Sequence, residues 1–477
     1  MRIVQTFWTA GRDPLEHSFG WLRPEYNLMS WALSCLSLRE HYDEVALYTD
    51  EQGKHVLVDL LHLPYTEVNV VYDEHLCLPQ HWAYAKIKTY SLQTKPFLHV
   101  DGDVYLPNPI PEDIISSPLI AQNREIGTGY YQGMLKGLLQ VSGIRMTDTL
   151  DKDICSDSLL SYNMGVFGGS DLNFIHSYCE EAMSFCNSNK SLNLNGNFNI
   201  LFEQILFAYV AEREKQPVNT IFSKTYNDNG YSAGDFCNLD RYREKTLFHL
   251  LGGHKRNKGI TESLSDIFLS SYGDYYVRLV SAFPLLHQRG FSNGIVCMPV
   301  MNTDLPIQSY IEFLNGAEED WSTLSWDELM DVEKRRVAGK ALSYIAELPK
   351  DMFICRNPYL KCFDVPAAWD EGQFQIMRKR LSCKEDVPIQ KVAVIPTLTP
   401  RQRKENVLHE LEWRVLDLIW EHPMQVSDIL TGLASKSEDT QTLWLMETRL
   451  LLNEGLVIPY NKNIQQINIQ TKTNINY

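Results

Sequence analysis

Residues 97–105 place a short apolar run directly before two carboxylates, Asp101 and Asp103, which one glycine separates. An apolar run of this length, bounded by polar residues, is typical of a buried β-strand, and open α/β sheets bind ligands at the carboxyl ends of their strands. Carboxylates in that position suit Mg²⁺ or Mn²⁺, which favour oxygen ligands and take further ligands from phosphate and water. Asp-Gly-Asp is also common in turns, so other segments must decide between the two interpretations.

The first part of the chain alternates strand-like and helix-like segments. Residues 2–8 and 44–48 have the apolar pattern of strands, whereas residues 26–41 and 83–93 have the spacing of helices. Such alternation predicts an α/β fold in which helices wrap a parallel sheet. The first strand is followed by no Gly-x-Gly-x-x-Gly segment, and the chain has no Walker loop, so a bound phosphate would need metal and basic side chains instead.

Composition narrows the range of partners. The 477 residues exceed one ordinary core and predict two or three domains. The formal net charge of −16 repels polyanions, so we expect neither nucleic acid nor an anionic membrane surface as a partner. The 10 cysteines include no Cys-x-x-Cys pair, the N-terminus lacks the apolar stretch of a signal peptide, and no run reaches the roughly 18 apolar residues of a transmembrane helix. These features predict a cytoplasmic protein without a transmembrane segment.

Two polar segments interrupt apolar runs farther along the chain. Asn163 and Gly165 stand at the start of a strand-like run, and the adjacent pair Glu203 and Gln204 lies within an otherwise apolar helix. Each has an ordinary explanation, because loops often enter strands in this way and amphipathic helices show a polar edge. Neither segment identifies a functional site by itself.

The segment from His249 to Lys255 combines an imidazole, two glycines and a lysine. His249 suits a metal site, Gly252 and Gly253 would let the backbone approach a phosphate, and Lys255 offers that phosphate a positive charge. A His-x-x-Gly-x-x-Lys spacing alone is weak evidence. The order of all the segments along the chain is more informative than any one of them.

Taken in order along residues 1–260, these segments resemble the glycosyltransferase family 8 proteins, the glycogenin-like branch of the GT-A fold. The matching parts are the first strand, the stretch from Lys86 to Asp103, the Asn-x-Gly-Val segment, the acid-Gln pair and the His-x-x-Gly-x-x-Lys motif. The resemblance implies that residues 1–290 form a Rossmann-like GT-A domain that binds a nucleotide sugar.

The resemblance also assigns roles to individual residues. It implies a site for Mn²⁺ or Mg²⁺ at Asp101, Asp103 and His249. It places Glu203 and Gln204 beside the donor sugar as the catalytic pair. The nucleotide-sugar contacts that it implies come from Thr6, Trp8, Lys86, Asp101, Asn163, Gly165, Gly252 and Lys255.

The activity implied by the resemblance is metal-dependent transfer of a sugar from a nucleotide-sugar donor, a UDP-sugar, to an acceptor with retention of the anomeric configuration. The chain departs from the family pattern in two places. Glu203 replaces an Asp, and Arg256 and Asn257 follow Lys255 where the family has Pro-Trp. The alternative is a catalytically inactive GT-A domain that serves as a binding scaffold.

Residues beyond 290 have a different character. Residues 291–400 hold eight prolines among short apolar pieces, and they predict no recognisable fold apart from a helix at 326–348. Residues 401–463 predict three short helices followed by a strand, which resembles a winged-helix domain. Residues 464–477 form a polar tail.

The winged-helix resemblance raises a rival function, that of a DNA-binding regulator. Residues 401–462, however, hold seven Lys or Arg against ten Asp or Glu, and an acidic domain disfavours phosphate contacts. We therefore favour an interaction domain that recruits the acceptor. The sequence leaves open whether that acceptor is a carbohydrate, a peptide or a protein.

Overall fold

The structure is a computed structural model, and it describes residues 1–151, 158–228, 230–283, 305–345, 347–366, 369, 381, 389–398, 402–434 and 441–460. The chain divides into two compact units. The first comprises Met1–Phe268 with Asp274–Ala282, and the second comprises Leu269–Gly273 with Phe283–Tyr477. The polar tail at 464–477 lies outside the described residues.

Seven strands of the first unit form one sheet. With strands numbered in chain order, they are β1 (Arg2–Phe7), β2 (Val45–Thr49), β3 (Glu67–Val70), β4 (Phe97–Val100), β6 (Ile120–Gly127), β7 (Leu159–Gly169) and β8 (Asn219–Asn227). A separate antiparallel pair consists of β5 (Val104–Tyr105) and β9 (Phe248–His249). The order across the large sheet is β3-β2-β1-β4-β7-β6-β8.

One half of the sheet is parallel and the other half is mixed. β1 pairs in parallel with β2 and β4, and β2 pairs in parallel with β3. β7 runs antiparallel to both β4 and β6, while β8 runs parallel to β6. The α/β class is confirmed, but the expectation of an entirely parallel sheet is wrong at β7. A strand buried on both faces carries a continuous apolar run in either direction, so the sequence pattern does not reveal its direction.

Helices accompany these strands along the chain. They are α1 (Pro24–Arg39), α2 (Glu51–Lys54), α3 (Ala83–Ser91), α4 (Glu112–Ile115), α5 (Tyr130–Leu139), α6 (Asp148–Asp151), α7 (Leu172–Ser188), α8 (Leu206–Arg213), α9 (Ala233–Phe236), α10 (Lys258–Ser271) and α11 (Gly273–Ser281). α1 begins with Pro24, whose fixed φ suits a first turn, and every residue from Glu25 to Leu38 is buried. A helix that is buried all round belongs to the interior. The helices predicted at 26–41 and 83–93 are therefore present with small differences at their ends.

The second unit combines short strands with five helices among its described residues. The strands are β10 (Phe353–Arg356), β11 (Lys361–Asp364), β12 (Lys391–Thr397), β13 (Gln402–Leu408), β14 (Met424–Gln425) and β15 (Val457–Pro459). The helices are α12 (Leu305–Ser322), α13 (Trp326–Ser343), α14 (Glu410–Leu418), α15 (Val426–Ala434) and α16 (Gln441–Glu454). Two antiparallel sheets have the strand orders β14-β10-β15 and β11-β12-β13.

The elements predicted for the second unit are largely where the sequence places them. The helix expected at 326–348 is α13, which starts at a capping box between Ser325 and Glu328. The three helices and strand expected within 401–463 are α14, α15, α16 and β15. The winged-helix resemblance itself stays a prediction, because β15 pairs with β10 from the preceding segment. Among the described residues, no helix is both long and apolar enough to cross a membrane.

The close contact between β4 and β7 gives a test of the sheet. A Cβ at Gly168 would lie 2.1 Å from the carbonyl oxygen of Phe97, which the strand pairing holds in place. We expect Gly168→Ala to destabilise the protein by about 1–3 kcal/mol, because the two backbones must separate. The measurement is the midpoint of urea unfolding, monitored by circular dichroism.

The matched control is Gly137→Ala in α5, where a Cβ would meet no atom within 4 Å. Alanine is a better helix former than glycine, so this variant should be more stable by up to about 1 kcal/mol. Equal stability of the Gly168→Ala variant and the unaltered protein would contradict the close approach of β4 and β7.

Candidate metal centre and its surroundings

Asp101, Asp103 and His249 form a cluster at the carboxyl end of β4. One potential ligand atom from each of the three side chains lies within 4.8 Å of the other two. Asp101 and Asp103 follow β4 directly, whereas His249 belongs to β9, far along the chain. The pairing of β5 with β9 places Val104 opposite His249 and so brings the imidazole to the carboxylates. The Nε2 atom of His249 lies 3.5 Å from Oδ1 of Asp103.

Two glycines allow this close assembly. A Cβ at Gly102 would lie 2.4 Å from the ring of Trp31, and a Cβ at Gly165 would lie 2.4 Å from Cε1 of His249. The backbone N–H of Asp101 also donates to the carbonyl oxygen of Gly165 at 2.8 Å. The packing of β7 against the cluster therefore requires a glycine at position 165, whatever else this residue contacts.

Gln122 of β6 sets the orientation of the His249 imidazole. Its Oε1 atom lies 2.7 Å from Nδ1 of His249, while its Nε2 atom donates to Oδ1 of Asn123. Since Oε1 can only accept, Nδ1 carries a proton, and Nε2 is the ring nitrogen that faces Asp103. Metal-binding histidines are commonly oriented by such a partner on their second nitrogen. Gln122 was not predicted from the sequence, where it stands beside other polar residues of β6.

Lys86 is buried between two carboxylates. Its Nζ atom lies 3.0 Å from Asp101 and 2.6 Å from Oε1 of Glu203, and it donates to the carbonyl oxygen of Met164 at 3.2 Å. Burial alone would lower the pKa of Lys86, but the two carboxylates outweigh burial and raise that pKa above its ordinary value. The ammonium therefore stays charged and links the predicted metal ligand to the predicted catalytic acid.

The carboxylates on either side of Lys86 both hold their protons more tightly than usual. Burial raises the pKa of Asp101 and of Glu203, and Lys86 lowers both only in part. The negative charge of Asp103 raises the pKa of Asp101 further. Glu203 lies in a π-helical turn, Ile200–Ile205, and a helix distortion of this kind is frequent at functional sites. Its neighbour Gln204 is half-buried.

Asp103 has the opposite electrostatic environment. Burial would raise the pKa of Asp103, but Lys255 and His249 lower it well below its ordinary value. Lys255 forms an ion pair with Asp103, and its Nζ atom lies 5.7 Å from the ring centroid of Trp21. Gly252 begins the 3-10 helix Gly252–Arg256 that carries Lys255. It is exposed and has a φ of +47°, which glycine adopts without strain.

The remaining predicted contact residues lie around the cluster in different settings. His99 lies between Thr6 and Asp101. Its Nε2 atom is 3.0 Å from Oγ1 of Thr6, and its Nδ1 atom is 3.7 Å from Oδ1 of Asp101. Trp8 is buried, and its Nε1 atom donates to the carbonyl oxygen of Asp73 at 2.7 Å. The indole of Trp8 is thus anchored in the core, which leaves its backbone as the part able to meet a ligand.

Asn163 contacts Glu125, a buried carboxyl group that was not predicted from the sequence. Its Oδ1 atom accepts from the backbone N–H of Gly165 at 3.0 Å, and its Nδ2 atom lies 3.4 Å from Oε1 of Glu125. The hydroxyls of Tyr131 and Tyr231 both donate to Glu125. Burial raises the pKa of Glu125 to about 7, although these hydrogen bonds lower it in part. Glu125 ends a run of four polar residues in β6, so the sequence pattern did not single it out.

The donor set of the cluster fits a hard divalent cation. Two carboxylates and one imidazole, close enough to share an ion, are ligands that Mg²⁺ or Mn²⁺ accepts. The cluster also leaves room in the coordination shell for water and phosphate oxygens. Glu203 stands outside the ligand set, because Lys86 lies between it and Asp101.

Comparison with known proteins identifies the family of the chain but assigns it no activity. Residues 1–282 match a family of unknown function, DUF6734. The chain belongs to this family. The matched stretch contains the seven-stranded sheet and every residue of the metal cluster. No curated protein matches the chain.

The raised pKa of Glu125 predicts how stability depends on pH. A carboxyl has a pKa near 4.3 when unfolded, so the unfolded chain loses this proton at lower pH than the folded protein does. The free energy of unfolding therefore decreases between about pH 4.3 and about pH 7, and this contribution of Glu125 is constant above that range. Glu125→Gln removes the titration, and its stability relative to the unaltered protein should rise over this window by on the order of 3 kcal/mol.

The measurement is the thermal unfolding midpoint of both proteins from pH 5 to pH 8. Asp101 and Glu203 titrate in both proteins, so their contributions cancel in the difference. A difference in midpoint that does not vary with pH would show that Glu125 is not buried as a protonated group.

The cluster predicts that Mn²⁺ binding depends on His249. His249→Ala removes one of three ligands, so we expect at least about tenfold weaker Mn²⁺ binding by isothermal titration calorimetry. His254→Ala is the matched control, since His254 lies five residues away and outside the cluster. Equal weakening in both variants would mean that the imidazole ligand is misassigned.

Proposed function

We propose that this chain is a metal-dependent glycosyltransferase of the GT-A type that takes its sugar from a nucleoside diphosphate sugar, with UDP as the nucleotide. The observation that carries the proposal is the convergence of Asp101, Asp103 and His249 with two lysines, Lys86 and Lys255. A hard cation together with ammonium groups is what a departing diphosphate requires. The resemblance to glycosyltransferase family 8 supports the donor class.

The chemistry of the step explains the residue types. A nucleoside diphosphate leaves readily only when its growing negative charge is neutralised. When bound, Mn²⁺ or Mg²⁺ would supply Lewis-acid stabilisation of that charge. Asp101, Asp103 and His249 would hold the ion. Lys255 forms an ion pair with Asp103 in the structure. With Asp103 bound to an ion, the ammonium of Lys255 would be able to turn towards the diphosphate.

Glu203 and Lys86 would act on the sugar side of the reaction. Lys86 fixes the carboxylate of Glu203 at 2.6 Å and keeps its position relative to Asp101. A carboxylate held in this way can stabilise positive charge that develops on the sugar ring as the diphosphate departs. Glu203 is one methylene longer than the family's Asp, and it forms an ion pair with Lys86. Transfer with retention is the outcome that the family resemblance supports.

The second unit is proposed to recruit the acceptor. Met446 and Leu450 are exposed one helical turn apart on α16, which offers an apolar face to a partner. The acidic composition of residues 401–462 supports an acceptor other than nucleic acid. A cytoplasmic location is also proposed. The seven cysteines among the described residues that are free of disulfides support it.

The decisive experiment is hydrolysis of UDP-sugars in the presence and absence of Mn²⁺. A ligand at ~100 times its dissociation constant should also stabilise the protein by about 2.7 kcal/mol, which a thermal-shift assay detects. Asp101→Asn and Asp103→Asn should each reduce hydrolysis by at least about a hundredfold, since each removes a ligand charge without removing volume.

Asp113→Asn is the matched control, because Asp113 is an exposed carboxylate in the first turn of α4. It should hydrolyse UDP-sugars like the unaltered protein. Stabilisation by nucleotide sugars without any hydrolysis would instead support the inactive scaffold. An absence of both effects, with every UDP-sugar and both ions, would overturn the proposal.

A further inference from the structure

Trp82 is an indole presented to solvent beside the candidate active site. It is 48% exposed, whereas each of the other nine tryptophans is buried or half-buried. The Nζ atom of Lys86 lies 5.5 Å from the centroid of its ring. Lys86 in turn contacts Asp101 and Glu203, so Trp82 borders the group of residues proposed to act on the sugar. Tryptophan is enriched at binding interfaces, because its ring combines a large apolar face with a hydrogen-bond donor.

The backbone around Trp82 is held rigidly. Nε2 of His81 lies 3.0 Å from the carbonyl oxygen of Leu194, and the backbone N–H of Ala83 donates to Oδ1 of Asn199 at 3.1 Å. The Nδ2 atom of Asn199 donates to the carbonyl oxygen of Gln80 at 2.7 Å. The indole therefore projects from a fixed position. A preformed position of this kind lowers the entropic cost of binding.

The segment that anchors Trp82, residues 193–199, has an asparagine at every second position. Leu194 and Phe198 of this segment are buried, while Asn193 and Asn195 are exposed. Asn197 accepts a hydrogen bond at 3.2 Å from the hydroxyl of Tyr130, a second aromatic residue that is 48% exposed. Carboxamides both donate and accept hydrogen bonds, which matches the hydroxyl groups of a sugar.

We infer that Trp82, with Tyr130 and the exposed asparagines, forms a platform for a saccharide acceptor. The C–H face of a pyranose ring stacks on an indole, and carboxamides hydrogen-bond its hydroxyls. Glu203 is fully buried, whereas Trp82 is exposed, so the donor sugar belongs at the deeper position and the acceptor at the rim. This inference rests on the proposed function, and it selects a carbohydrate from the acceptor classes that the sequence leaves open.

The first test is tryptophan fluorescence of the full chain, titrated with a panel of neutral mono-, di- and trisaccharides in the presence of UDP and Mn²⁺. The chain has 10 tryptophans, so the signal of Trp82 is the difference between the unaltered protein and Trp82→Phe. We expect a saccharide-dependent change in the unaltered protein that Trp82→Phe lacks. The absence of such a change with every saccharide would overturn the inference.

The second test is steady-state transfer with the saccharide that gives the fluorescence change. Trp82→Ala should raise the acceptor KM by roughly five- to tenfold, the usual size of one aromatic contact, with a much smaller change in the donor KM. Trp82→Phe should recover part of the loss, because it keeps a ring. Leu92→Ala is the matched control. Leu92 is 37% exposed at the opposite end of α3, and its variant should transfer sugar normally.

Three outcomes separate this inference from the proposed function. If UDP-sugars are hydrolysed but saccharides leave Trp82 unaffected, the glycosyltransferase proposal stands and the platform is wrong. If the nucleotide sugar alone changes the fluorescence of Trp82 and free saccharides do not, the indole contacts the donor and the acceptor assignment is overturned. If neither nucleotide sugar binding nor hydrolysis occurs, the proposed function fails, and a saccharide-dependent change still supports the platform.

Discussion

The buried charge balance around Lys86 is the interaction on which the rest of the site depends. Asp101 and Glu203 are about 100 positions apart in the chain, and burial raises the pKa of each carboxyl. One ammonium, 3.0 Å and 2.6 Å from them, compensates both. Removing it would take the positive charge away from the buried Glu203 and the half-buried Asp101, and a buried charge that loses its partner is costly. The position of α3, which carries Lys86, is therefore tied to both β4 and the turn of Glu203.

The same constraint connects the proposed chemistry to the architecture. The antiparallel strand β7 approaches β4 closely because Gly168 has no side chain, while Gly165 leaves room for His249. This approach puts the carbonyl oxygens of Met164 and Gly165 beside the charged groups. β6 then supplies Gln122 to orient His249. Thus the mixed half of the sheet, which departs from the parallel expectation, is the part that shapes the metal cluster.

Much of the site was visible in the sequence because its residues adjoin recognisable elements. The apolar run before Asp101 predicted a strand end, and the helix that carries Lys86 was predicted within two residues of its observed end. Gln122 and Glu125 were missed, since a polar residue in a strand has meaning only when its partner across space is known. Trp82 was missed for a related reason, because aromatic residues are usually core and only exposure distinguishes this one.

The sequence by itself determined the α/β class of the first unit, the placement of the carboxylates after a buried strand and the three helices near the end of the chain. Hydrophobic periodicity is local, so a single chain read in order contains it. Only the tertiary structure decided the direction of β7, the pairing of β5 with β9 and the ion pairs of Lys86 and Lys255. Those features depend on contacts between residues up to about 150 positions apart, and no local pattern encodes which distant charge will meet which.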